Sequence, residues 1–159
     1  MQIPNDIASL ITPFAAMAAT AATAGGSGDA TEVDGITIDL DAGTRGRRFN
    51  ALVFVLLGQA TLAEGETLTL TANLQDAEDD GAGSPTDWAD ITTPGSALTL
   101  TGDTGGSTER GAAKIGFDLR NARRYVRVQV TPDLSAANTD TAAINAAAIL
   151  ANPDLAPAD

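Results

Sequence analysis

Between Thr67 and Leu74 the chain interleaves Thr67, Thr69 and Thr71 with Leu68, Leu70, Ala72 and Leu74. From Ala122 to Val130 it does the same with Val126, Val128 and Val130 against Arg127 and Gln129. A period of two sends alternate side chains to opposite faces of a strand, so each segment is expected to bury one face and wet the other. Val33 to Leu40 reads likewise, with Ile36, Ile38 and Leu40 inward and Thr37 and Asp39 outward. Lys114 to Leu119 sets Ile115, Phe117 and Leu119 against Gly116 and Asp118. Shorter strands are expected from Trp88 through Ile91 and over Ala97 to Thr101, followed by an exposed glycine-rich loop from Thr101 to Ala112.

Ala51 to Leu57 breaks the alternation. It reads Ala-Leu-Val-Phe-Val-Leu-Leu with no polar residue, the pattern of a strand covered on both faces. In a two-layer sandwich only one face meets the core, so the second needs a cover from the N-terminal segment or from a neighbouring subunit. Thr139 to Leu150 is alanine-rich and compatible with a helix, but Ile144, Ala146, Ala148 and Leu150 also fall on one face at period two, and a last strand is the reading adopted. The expected fold is all-β: a single β-sandwich of jelly-roll type with about eight strands and an extended N-terminal arm. Residues 1–30 are expected as the arm and its Gly/Ser hinge, 31–151 as the sandwich and 152–159 as a C-terminal tail.

Composition narrows the function. The 9 basic and 21 acidic residues give a formal charge of −12, which repels phosphate backbones and argues against nucleic-acid binding. There is no histidine and no cysteine, so the commonest general base, the commonest transition-metal ligand and all thiolate chemistry are missing. No Ser-x-x-Lys or Gly-x-Ser-x-Gly spacing occurs. The apolar stretch Ile7 to Ala24 contains Asp6 before it and Pro13 within it and lacks a basic leader, so it reads as neither a secretion signal nor a membrane span. No enzyme, cofactor or membrane partner is expected.

Two clusters of charge stand out. Asp76, Glu78, Asp80, Gly81 and Asp87 fall at positions one, three, five, six and twelve of an oxygen-rich calcium loop. The match is weak at three and twelve, and a solvated acidic turn is the favoured alternative, so no metal is expected. Arg45, Arg47 and Arg48 lie in one turn and Arg120, Arg123, Arg124 and Arg127 in or before one strand, leaving only Arg110 and Lys114 elsewhere. Such guanidinium groups suit bidentate pairing with another protein's carboxylates; pairing with the chain's own surplus acids is the equal alternative. Arg45, Arg47, Arg48, Arg123, Arg124 and Arg127, with the apolar Ile7, Leu10 and Phe14 of the arm, are the candidate partner contacts. Trp88 is either a sugar platform or a core filler.

The order of these pieces resembles the capsid cement, or head decoration, proteins of tailed phages. The resemblance is carried by an Ala/Thr N-terminal segment, Ile36-Thr37-Ile38-Asp39-Leu40, "LTLTANLQD" with its acidic turn, "RRYVRVQV" and an alanine-rich final strand, over roughly Ala18 to Ala151. It implies a non-enzymatic protein on the outer surface of the virion, bound to the major capsid protein and to copies of itself, often as trimers. A discoidin-type carbohydrate-binding module and another structural or adhesion protein of the tail are the alternatives.

Overall fold

The computed structural model describes residues 12–41, 49–136 and 139–153. Ten strands occur among them, all paired antiparallel. One sheet has the order β1 (Thr12–Thr23), β10 (Thr141–Pro153), β4 (Phe49–Leu62), β8 (Ser107–Asp118). In the other, β9 (Tyr125–Leu134) and β5 (Thr67–Asp79) lie at the centre. The short β2 (Val33–Asp34) and β3 (Ile38–Asp39) share the free side of β9, and β6 (Pro85–Asp90) and β7 (Gly95–Thr101) share that of β5. Merging each short pair leaves eight strand positions. Each sheet then alternates early with late strands, the order of a jelly-roll sandwich.

Alternation supplies the core. Leu52, Phe54 and Leu56 of β4, Ile144, Ala146, Ala148 and Leu150 of β10, Leu68, Leu70 and Leu74 of β5 and Val126, Val128 and Val130 of β9 are all buried between the sheets. Among the described residues Phe54 is the largest fully buried side chain, and the alanines of β10 keep the layer thin. Gly58 of β4 lies opposite Gly111 of β8, and side chains there would press on Leu98 and Leu100 of β7. The paired glycines let β7 close over that corner. Asp140, itself buried, ties three elements together: its carboxylate accepts from the Ala63 N–H, at 3.0 Å for Oδ1, and its carbonyl accepts from the Ala24 N–H at 2.9 Å.

Several expectations change. The N-terminal segment is not a separate arm from Thr12 onward, because Thr12–Thr23 is strand β1, paired with β10 from Thr12↔Leu150 to Thr23↔Thr141 with two register shifts. Its alanines pair beside those of β10, Ala15 with Ala147, Ala21 with Ala143 and Ala22 with Ala142. Phe14, expected as a partner contact, is partly buried and packs against the core. The strand expected over Val33 to Leu40 is broken at Gly35 and Ile36, where Gly35 N–H donates to Val128 O at 2.7 Å and Ile36 N–H crosses to Ala16 O of the first sheet at 2.8 Å. That detour leaves Ile36 46% exposed, whereas Ile38 and Leu40 are buried as expected. The glycine-rich loop is also shorter than expected, since β8 begins at Ser107. Ile7, Leu10, Arg45, Arg47, Arg48 and the tail 154–159 lie outside the described residues.

Candidate functional site

The two outward faces of the sandwich are chemically opposite. On the β9–β5 sheet the outward residues Asn73, Gln75, Arg127 and Gln129 form one polar lattice. Asn73 Nδ2 donates to Gln129 Oε1 at 3.1 Å and to Asp90 Oδ1 at 3.0 Å. Gln129 Nε2 donates to Glu32 at 2.6 Å and to Asp34 at 2.7 Å. Asn73 and Gln129 are only 4% exposed, and each finds partners, as buried amides must.

The arginines expected to reach a partner are held inside this chain. Arg123 pairs with Asp76 at 2.7 Å. Arg124 grips Asp39 with Nε and Nη2 at 3.0 and 2.8 Å and also pairs with Asp79. Arg127 pairs with Asp34 at 2.7 Å and donates to Gln75 at 2.9 Å. Bidentate geometry is what a guanidinium offers any carboxylate. Here β2, β3 and β5 supply the carboxylates at close range, so Arg123, Arg124 and Arg127 act as internal fasteners.

The acidic segment is a hairpin rather than an ion loop. β5 continues through Asp79, so Asp76 is locked in a strand and buried, and Asp87 lies across the hairpin in β6. Asp79 Oδ1 accepts from the Gly81 and Gly83 amides at 2.6 and 3.1 Å. Asp80 Oδ1 accepts from Ala82 and Ser84 at 2.7 and 3.0 Å. The amide of Gly83 foremost holds the Asp79 carboxyl below its ordinary range, with help from Gly81, Tyr125 and Arg124 against the cost of burial. Among the described residues no group of three or more acidic, histidine or cysteine side chains converges on a metal position, and Asp76, Glu78, Asp80 and Asp87 do not form one. Ala77 faces the two residues Asp87 and Trp88 across a register shift. This bulge, with Asp87 at φ 35°, turns Trp88 under the Arg127 guanidinium, 4.4 Å from the ring centroid. A ring so covered is a poor sugar platform.

The outward face of the β1–β10–β4–β8 sheet has no such lattice. Register places Ala21, Ala143, Gln59 and Arg110 in one row, Asn145, Leu57 and Ala112 in the next, then Ala15, Ala147, Val55 and Lys114, then Pro13, Ile149, Val53 and Gly116. Leu57 is 43% exposed and borders a shallow depression of about 370 Å³ with Ala19, Ala143 and Asn145. A second, near Val53 and Gly116, measures about 440 Å³. The doubly apolar strand expected at Ala51 to Leu57 is therefore real, and among the described residues nothing covers its outer side. Sequence reasoning passed over the flanking small residues and over Arg110 and Lys114. The available signal was the alternation Arg110, Ala112, Lys114, Gly116 on β8.

No protein-family model matches the chain, and no curated protein matches it. Among solved structures it is similar to that of infectious bursal disease virus Gx strain, with TM-score 0.44 and 10% identity over 87% of this chain. It is also similar to T=1 particles derived from infectious bursal virus, with TM-score 0.43 and 10% identity over 89% of this chain. A VP2 subviral particle of infectious bursal disease virus gives TM-score 0.42 and 8% identity over 89%. This chain spans 32%, 31% and 32% of the respective chains, about a third of their length. Likeness at this level is of outline only and carries no functional content.

Proposed function

We propose that this chain is a non-enzymatic structural subunit of a virion that decorates the outer surface of a tailed-phage capsid by binding the major capsid protein. The observation that carries the reading is the outer face of β4 and β10, where Leu57 is exposed and Val55 and Ile149 are half-buried, an apolar surface on a chain of net charge −12. Contiguous apolar surface of this kind marks a contact with another protein. The opposite face, closed by its own ion pairs, suits solvent. The sequence resemblance to cement proteins supplies the identity of the surface it meets, and the sandwich supplies a rigid plate to lay on it. The carbohydrate-binding alternative loses its main support with Trp88 under Arg127.

Empty, undecorated heads of the same virus, mixed with the purified protein, test this reading. Saturation at a fixed number of copies per lattice site and a higher head melting temperature are expected. Failure to co-sediment at any concentration, with retention on a glycan array released by free sugar, would replace the proposal with the lectin reading.

A further inference from the structure

Resting on that reading, we infer that the surface received by the outer face of the β1–β10–β4–β8 sheet is apolar at its centre and carries carboxylates opposite Arg110 and Lys114. A second copy of the same face is not the occupant. The argument starts from how the cations are distributed. Arg120, Arg123, Arg124 and Arg127 each pair with a carboxylate of this chain. Arg110 instead donates to the neutral amide oxygen of Gln59 at 2.8 Å, and Lys114 has no ion pair among the described residues. In a chain with 21 acids and 9 basic residues, a cation left without a carboxylate is the exception. Among the described residues the two exceptions fall on the same face, exposed, on the same strand.

Their setting adds a constraint. Lys114 is flanked in its row by Val55 and Ala147, and Arg110 by Gln59 and Ala143. Asp118 is the acid of that row system, and Arg120 already holds it at 2.5 Å. Four residues apart on one strand, the two cations are separated by about 13 Å. Covering the face without an anion would strip water from two charges and return nothing. A second copy offers no relief. About a two-fold axis along the strands, centred on β10 and β4, it lays β8 of one protomer over β1 of the other, where the exposed residues include Pro13, Ala15, Ala18, Ala19 and Ala21 and no acid. About an axis across the strands it lays β8 over β8, where Asp118 is already held by Arg120. The complement is thus another protein's surface, with acidic side chains at the matching spacing.

Head binding by three forms separates the possibilities: wild type, Leu57→Asp, and the double variant Arg110→Glu with Lys114→Glu. The positions are exposed, and unchanged thermal melts verify folding. Wild type is expected to bind, with affinity falling as salt rises. Leu57→Asp and the double reversal are each expected to lose at least about tenfold. Wild-type binding matched by the double reversal overturns this inference and leaves the decoration reading standing. Absence of wild-type binding overturns both. A wild-type dimer in light scattering that Leu57→Asp dissociates puts a second copy on the face and overturns the inference as well.

Discussion

Arg123 closes on Asp76 with side chain and backbone together: Nε donates to Oδ1 at 2.7 Å and the Arg123 amide donates to Oδ2 at 2.8 Å. A further bond runs from Nη2 to the Asp76 carbonyl at 2.7 Å. The Asp76 side chain is 4% exposed and that of Arg123 29%. Removing the cation strands a buried anion, so Arg123→Ala is expected to destabilise by about 3 kcal/mol. Replacing both, Asp76→Leu with Arg123→Met, is expected to cost less than Arg123→Ala alone, because no charge is then left without a partner. Urea unfolding of the three variants checks the order.

Acid is expected to loosen both sheets, through Asp118 of β8 and Asp79 of β5. Hydrogen bonds from Arg120 lower the Asp118 carboxyl from 3.8 to about 2, and Asp79 is also lowered, chiefly by the Gly83 amide. Both groups bind a proton more readily unfolded than folded. Their contribution is complete above the unfolded value of 3.8 and is lost as pH falls through the folded values. The melting temperature is therefore expected to decline between about pH 4 and pH 2, and Asp118→Asn to lessen that slope. Thermal melts at constant ionic strength would contradict the assignment if the two proteins fell in parallel.

Much of this architecture was legible in the alternation. Thr67 to Leu74, Lys114 to Asp118 and, of the segment expected from Ala122, Tyr125 to Val130 are strands with the faces expected, because one buried face leaves period two little freedom. The alanine-rich ending resolved as a strand for the same reason. What stayed hidden depended on partners distant in sequence. Nothing local in Phe14 to Thr23 says strand, since alanine has a weak preference for sheets; the long β10 beside it decides. Gly35 reads locally as part of one strand, and only the approach of Val128 and Ala16 shows why it breaks. The spacing of Asp76, Glu78, Asp80 and Asp87 suggested convergence in one dimension, and a hairpin sent them to different places. Arg127 was read as a partner contact because Asp34, far away in sequence, could not be foreseen beside it.

Trp88 is the only tryptophan, which makes its emission a clean reporter. Arg127 lies over its ring at 4.4 Å while also bonding Gln75 and Asp34. Arg127→Ala is expected to shift the emission to the red as water reaches the ring, and to destabilise by about 1 kcal/mol. Arg127→Lys restores charge without the planar stack and should recover only part of both effects. An unmoved spectrum in Arg127→Ala would mean that the ring is sheltered by something else.

Gly35 sits where backbone of both sheets, Val128 of β9 and Ala16 of β1, closes in on one residue. A methyl group built there would stand 2.4 Å from the Val128 carbonyl oxygen and 2.6 Å from that of Ala16. Both obstacles are backbone, one in each sheet, so neither can rotate aside as a leucine tip would. The same point carries the amide bonds from Gly35 to Val128 and from Ile36 to Ala16, so moving the chain outward sacrifices the link between layers. Gly35→Ala is expected to destabilise by about 3 kcal/mol, and to speed hydrogen exchange at the Ile36 amide more than at amides of the central strands β4 and β5. The contrast with Gly81 is the internal check: nothing lies within 4 Å of the added carbon there, and only its φ of 83° opposes the change, so Gly81→Ala should cost about 1 kcal/mol. Equal losses at the two glycines would show that the sheets do not meet as closely at Gly35 as this geometry requires.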